Sequence, residues 1–397
     1  MRALRCHPVL ALVFAILIPL AGWTQAKPRA RDLGVPFDGT PGPLDAITDV
    51  KGVEVGHTTL ISGSGKLVVG QGPVRTGVTA ILPRGKSPAS QVFAGWFSLN
   101  GYGEMTGTTW VEESGTLQGP VMITNTHSVG VVRDAVIKWR VNMAPPENTR
   151  YWWTLPMVAE TYDGYLNDVN GFHVTPQDAF HALDSARSGP VAEGNVGGGT
   201  GMICYEFKGG IGTASRQITA AGAGYTVGVL VQCNCGRHDQ LRIGGVPVGP
   251  EIAAPRVWGK TGSAPEEERG SIIIVVATDA PLLPHQLKRL ARRASLGLAR
   301  TGSTSGNGSG DIFMAFSTAN PEAAKLKGLA QVQMLANAEM DPIFSATVEA
   351  TEEAIVNALV AAETMTGADD HTVLALPHDR LLEVLRRHDR LQEKGKP

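Results

Sequence analysis

Ser271 carries the clearest chemical signal in the chain. It directly follows Gly270 and opens a run of β-branched residues, Ile272 to Val276, that continues to Asp279. Such a run, bounded by turn residues, reads as a buried central strand. The preceding residues, 244–270, are rich in Pro, Gly and Glu and read as a surface linker. A cut between Gly270 and Ser271 would leave a hydroxyl and a free amine on one residue, aimed by its own strand. Serine oxygen is a weak nucleophile until a base takes its proton. An α-amine, with an ordinary pKa of about 7.7–8.0, can serve as that base near neutral pH. An ordinary turn before a strand accounts for the same local pattern, so the other residues must decide.

Three further groups carry chemistry. The run 224–236 is apolar and reads as a buried strand ending on Gln232, Cys233, Asn234 and Cys235. A buried amide side chain must be hydrogen-bonded, and the N–H of Asn234 suits an oxyanion donor. Glu160 and Tyr162, two apart, share a face if their segment is extended. Together they could bind a cation and donate to an oxyanion, although an exposed Glu beside a core Tyr explains them too. Asn125, Thr126, His127 and Ser128 follow an apolar strand at 121–124, and strand ends are where sites are often built.

The elements that position these groups follow in order. Residues 27–45 read as an extended arm. Strands are expected from 45 to 57, as short pieces between Gly turns over 68–82, and over 91–100 and 121–125. Helices are expected over 131–140, 176–187, 284–300, 321–336, 342–366 and 378–392, with a last strand at 371–376. Residues 302–317 form a Gly/Ser loop feeding a second apolar strand. The glycine-dense stretch 194–201 lacks the Lys-Ser/Thr of a P-loop. It reads as a loop that lets a substrate or another strand approach closely. Strands dominate before residue 280 and helices after it, which fits two packed sheets flanked by helices.

Composition excludes several functions. A net charge of -2 over 397 residues gives no basis for nucleic-acid or membrane-surface binding. The N-terminus reads as a signal peptide over 1–26, with Arg2 and Arg5 before an apolar run at 9–20 too short to span a bilayer comfortably. Export to the periplasm or outside the cell is therefore expected, with no membrane association after its removal. Of the four cysteines, Cys6 leaves with that segment. The remaining three, Cys204, Cys233 and Cys235, do not make a disulfide framework, and a metal site would lack a fourth ligand of suitable spacing.

The runs from Gly270 to Arg293, from Gly297 to Thr318 and from Ala346 to Leu359 resemble the L-aminopeptidase/D-Ala-esterase-amidases and β-peptidyl aminopeptidases. Stretches around His57, 123–135 and 226–234 are similar too, so the resemblance covers essentially the mature chain. It implies an α/β fold, an αββα four-layer sandwich like that of the N-terminal-nucleophile hydrolases. It implies one catalytic domain, 27–397, that cuts itself at Gly270–Ser271 into 27–270 and 271–397. By the same resemblance Ser309 and Asp311 support the new terminus, Asn234 holds the oxyanion, Glu160 binds the substrate's amine and the phenol of Tyr162 lines the site. No metal or organic cofactor is implied, and a homotetramer is. Gly308-Ser309 is a rival cleavage point, but Ser309 follows a flexible Gly/Asn loop whereas Ser271 opens a core strand.

The expected substrates are short peptides or aminoacyl amides and esters, with Trp152, Trp153 and the 194–201 loop as candidates for shaping the pocket. One alternative is an acyltransferase of the similarly built ornithine-acetyltransferase type. Its Thr nucleophile and cytoplasmic setting sit badly with Ser271 and the N-terminal segment. A non-catalytic exported binding protein with a Gly-rich cleft is the alternative from another class.

Overall fold

The computed structural model describes residues 27–87, 91–143, 152–253, 270–325 and 327–392. The expected signal peptide and most of the linker, 254–269, lie outside these residues. Two sheets carry the fold. The smaller has the order β1 (Glu54–Ser62), β2 (Val74–Lys86), β5 (Val121–Asn125), β6 (Met157–Thr161). The larger runs β4 (Thr116–Leu117), β3 (Val92–Gly101), β12 (Gly310–Ser317), β11 (Ser271–Thr278), β10 (Ala223–Asn234), β9 (Gly210–Ala220). Hairpins β7 (Ile203–Cys204) with β8 (Phe207–Lys208), and β13 (Met365–Thr366) with β14 (Thr372–Val373), complete the strands.

Strand periodicity builds the four layers. Along β11, Ile273, Val275 and Ala277 join Leu230, Ile312, Met314, Ile123 and Ala159 between the sheets. The intervening Ile272, Ile274 and Val276 meet Leu287, Leu290, Ala291 and Ala354 on the other side. Successive side chains of a strand point to opposite faces, so a run of β-branched residues fills two cores at once. The second core lies under α4 (Pro284–Arg300) and α5 (Asp341–Val360). A third packs Val78, Ala80, Met122 and Val158 of the smaller sheet against α2 (Val129–Met143) and α3 (Pro176–Ser185). The order helix, sheet, sheet, helix is the expected αββα sandwich. Two smaller helices add to these cores: α1 (Thr108–Ser114) puts Val111 between the sheets, and α6 (His378–Arg387) puts Leu381, Val384 and Leu385 in the helix-side core. Among the described residues, no helix is long and apolar enough to cross a membrane.

Several expectations shift. Residues 68–82 are not short pieces: β2 is a single strand, buried from Val74 through Pro83. The helix expected over 321–336 shrinks to one turn, Pro321–Ala324, because Leu335 donates its N–H to Pro281 O and holds 327–336 in an open path. The helix expected over 342–366 stops at Val360, and that expected over 378–392 at Arg387. The strand expected over 371–376 is two residues long. Residues 246–252, read as surface linker, bury Val246, Val248 and Ile252 in the helix-side core.

The N-terminal arm is fastened by buried charge. The fully buried Arg216 pairs with Glu353 at 2.7 Å and donates to Asp38 O at 2.8 Å. Arg31 from the arm holds the same Glu353 at 2.7 Å, and Arg29 holds Glu193 at 2.8 Å. Removing one partner of such a set leaves a desolvated charge unpaired, which costs about 3–5 kcal/mol. Arg216→Ala is therefore expected to lose about that much stability in chemical denaturation, whereas removing the rim pair Lys288–Glu112, with both side chains partly exposed, moves it by less than about 1 kcal/mol.

Candidate active site

The candidate residues come from five strand ends that meet at one edge of the sandwich. Strands β10 and β11 run antiparallel and β11 and β12 parallel, so Ser271 pairs with Asn234 on one side and Gly310 on the other. Ser271 thus sits inside a three-stranded ladder, 5% exposed. Its parity with Ile273 and Val275 directs its side chain between the sheets, and the parity of Asn234 with Leu230 does the same.

The peptide joining Gly270 to Ser271 is held tightly. Gly270 O accepts from Ser271 Oγ at 2.7 Å and from the Gly310 N–H at 3.2 Å. A Cβ on residue 270 would lie 2.4 Å from Asn234 O and 2.7 Å from Cys235 Cα. Glycine is required here because the backbone of β10 passes too close for any side chain. Residues 309–311 run alongside. Ser309 Oγ donates to Asp311 Oδ1 at 2.8 Å, and both residues are fully buried.

The amide of Asn234 is fixed at both ends. Its Oδ1 accepts from the Ile203 N–H at 2.7 Å, and its Nδ2 donates to Tyr162 O at 3.1 Å. That assignment leaves one Nδ2 hydrogen directed elsewhere. Tyr162 therefore contributes its main-chain carbonyl to this cluster. Strand β6 ends at Thr161, and the half-exposed phenol folds over Gly164. The expected sharing of a face by Glu160 and Tyr162 does not extend past the strand end. The phenol's pKa is pushed up by partial burial and by neighbouring Asp163.

Glu160 approaches from the facing sheet. Its Oε1 accepts from the Glu104 N–H at 3.0 Å and its Oε2 from Thr126 Oγ1. A Cβ on Gly103 would stand 3.3 Å from both Glu160 Oε1 and Gly310 Cα, so the carboxylate and the start of β12 flank one glycine. Burial raises the Glu160 carboxyl above its ordinary value, against the opposing hydrogen bonds from Thr126 and Glu104. Thr126 and the 103–104 turn support the carboxylate directly, and sequence reasoning did not assign them that role. For Thr126 the signal was the polar cluster that follows the 121–125 strand. Trp152, a pocket candidate from sequence, stacks beneath Arg140, while Trp153 meets Trp110 edge-on. The 194–201 loop is packed inside: a Cβ on Gly198 would lie 2.1 Å from Gln232 Oε1. Close approach is its purpose, but to strands.

The three cysteines are also brought together, all buried, with their sulfurs within 4.8 Å of one another. Cys204 and Cys233 form a disulfide with Cα atoms 5.8 Å apart, which the odd count had argued against. A cavity of about 430 Å³ elsewhere, bounded by Phe37, Asp38, Arg300, Glu352 and Arg390, is lined by none of the candidate residues.

The peptidase family S58 model matches residues 45–373, most of the chain. The chain belongs to peptidase family S58. It is 57% identical over 384 residues to a β-peptidyl aminopeptidase of Sphingosinicella microcystinivorans, covering 94% of this chain and 96% of that protein. It is 51% identical over 386 residues to the β-peptidyl aminopeptidase of Sphingosinicella xenopeptidilytica, covering 95% and 96%. Among solved structures it is similar to the L-aminopeptidase D-Ala-esterase/amidase of Ochrobactrum anthropi, described as a serine aminopeptidase and a variant of the Ntn-hydrolase fold. There the TM-score is 0.84 at 50% identity, over 92% of this chain and 100% of that one. The S58 chain is thus a serine-type aminopeptidase of the N-terminal-nucleophile fold. This family membership does not favour the acyltransferase alternative.

Behind the site, Asp163 is buried and accepts from Asn167 Nδ2 at 3.0 Å. Burial pushes its carboxyl up to about 6, from 3.8, although Thr76, Asn167 and Asn125 lower it. A carboxyl raised on folding stabilises the fold in its protonated form, and that contribution is lost as pH rises from about 4 through about 6. Asp163→Asn is expected to be more stable than the parent at pH 7.5 by about 2 kcal/mol, with the advantage vanishing by pH 4. Urea denaturation at the two pH values measures it.

Proposed function

We propose that this S58 aminopeptidase matures by cutting itself at Gly270–Ser271 and then works through an acyl-enzyme on Ser271. The observation that carries this reading is the register that sets Ser271 between Asn234 and Gly310, with its Oγ on the Gly270 carbonyl. In the precursor, Ser271 Oγ attacks the Gly270 carbonyl carbon while the Gly310 N–H polarises its oxygen. The peptide becomes an ester, the former amide nitrogen of Ser271 leaves as an amine, and water hydrolyses the ester. The products are 27–270 and 271–397. In the mature enzyme the α-amine of Ser271 takes the hydroxyl proton as Oγ attacks the substrate carbonyl. Ser309 and Asp311, running beside residues 270 and 271, hold and orient that amine. The remaining Nδ2 hydrogen of Asn234 meets the oxyanion. The leaving amine departs with the proton, and water then releases the acid.

Glu160 supplies the exopeptidase rule. A buried carboxylate held by Thr126 and the Glu104 N–H is a fitting receptor for the ammonium group of a substrate's first residue. The 57% and 51% identity to β-peptidyl aminopeptidases makes β-aminoacyl peptides the substrate class of first choice. The half-exposed Tyr162 phenol borders the same region. Export through the 1–26 segment to the periplasm, and assembly as a homotetramer, belong to the same proposal.

Purified wild-type protein is expected to run as two chains under denaturing conditions, and Ser271→Ala as one uncut, inactive chain. A wild type that stays intact with full activity overturns the reading. Glu160→Gln is expected to raise KM for an aminoacyl p-nitroanilide at least about tenfold, the loss of a charge-assisted hydrogen bond. Since only the ionised carboxylate binds ammonium, wild-type kcat/KM should fall on the acid side, with an inflection above 4.5 that Glu160→Gln abolishes. A pH profile over 4–9 reads both.

A further inference from the structure

Asn234 is flanked in sequence by two cysteines, and a third lies against them. Cys204, Cys233 and Cys235 are each at most 1% exposed. Cys204 is bonded to Cys233, while the Cys235 sulfur lies 3.9 Å from that of Cys233. With all three sulfurs within 4.8 Å, a thiol stands beside a disulfide within reach of its attack.

The hydrogen bonds that hold Asn234 run through the same residues. Ile203, next to Cys204, gives the N–H that fixes Asn234 Oδ1. Tyr205, on the other side of Cys204, donates its N–H to Cys235 O at 2.7 Å. The β7–β8 hairpin is thus tied to residues 233–235 on both sides of Cys204. Where Cys204 is bonded decides where the Ile203 N–H stands.

We propose that Cys204, Cys233 and Cys235 form an intramolecular thiol–disulfide exchange site whose bonding state positions the amide of Asn234. The Cys235 thiolate attacks Cys204 Sγ, and the 204–233 bond breaks as the 204–235 bond forms. The electron pair leaves on Cys233 Sγ, which takes up the proton that Cys235 gave up. One disulfide and one thiol stand on each side, so no oxidant or reductant is consumed. Attack on Cys233 Sγ instead would join two residues separated only by Asn234, at the end of β10. In extended chain, Cα atoms two residues apart stand about 6.7 Å from each other, at the upper limit for a disulfide, so Cys204 is the exchanging sulfur. Moving Cys204 from Cys233 to Cys235, two residues on and just past the end of β10, draws the hairpin with it and takes the Ile203 N–H off Asn234 Oδ1. The cysteines are positioning residues acting through Asn234, and the inference rests on Asn234 as oxyanion donor.

The test traps each isomer. Cys235→Ser keeps 204–233, and Cys233→Ser leaves only 204–235 available. Differential alkylation and peptide mapping of the folded wild type should recover both linked peptides. Oxidised Cys233→Ser should carry the 204–235 link and turn over at least about tenfold more slowly than Cys235→Ser, short of the 10²–10³ of losing the donor outright. KM should differ by less than about threefold, because only the transition state uses the amide. Reducing Cys233→Ser with a phosphine should recover most of the loss. Equal kcat in the two trapped forms overturns the proposal, as does a wild-type map with the 204–233 link alone. That map decides even if Cys233→Ser fails to fold. It reads exchange without turnover, and Asn234→Ala reads the donor without the sulfurs, so the two ideas fail separately.

Discussion

The main-chain ladder through Asn234, Ser271 and Gly310 is the constraint on which the rest depends. Hydrogen bonding in a sheet sets register to the residue, and a slip of one would turn every side chain of β11 to the wrong core. The alternation of Ile272 to Ala277 between two cores makes such a slip costly. Burial spread along eight residues thereby aims one hydroxyl at the strand's first position. Gly270 completes the arrangement, because only a residue without Cβ fits against Asn234 O and Cys235 Cα. The requirement is steric closeness to β10, and it concerns the peptide proposed for cleavage.

The surroundings are rigid for a related reason. Polar groups near Ser271 are held by main-chain donors and acceptors: Asn234 by Ile203 and Tyr162, Glu160 by Glu104. Main-chain groups on packed strands move little, so the side chains they hold are preorganised. The buried ion set around Arg216 and Glu353 plays a comparable part at the N-terminal arm, where Arg31 and Arg29 fasten residues 27–45 to β9 and α5. The arm also buries Ala30 and Val35 in the helix-side core, so charge and packing fasten it together.

Much of the fold was legible because it rests on local rules. A continuous β-branched run in 272–276 and period 3.6 in 284–300 name a central strand and its covering helix without any partner in view. Where a segment's path depends on a distant acceptor, those rules failed. Residues 327–336 look helical by composition, yet Leu335 is tied to Pro281 O and the chain stays open. The stretch 246–252 looks like linker but carries Val246, Val248 and Ile252 at positions that a neighbouring core accepts. The two-residue spacing of Glu160 and Tyr162 suggested one shared face, which the end of β6 at Thr161 cut short.

By itself the sequence determined the residue types of the site, the strand that Ser271 opens, the sandwich class and the family resemblance. Each of these is written in contiguous residues. Only the tertiary structure decided that Asn234 and Gly310 flank Ser271, that Thr126 and Glu104 hold Glu160, and that Cys204 joins Cys233. These meetings span 29 to 56 residues of chain, and nothing in local periodicity ranks one distant pairing over another. Register between strands, set by two cores filling together, makes that choice.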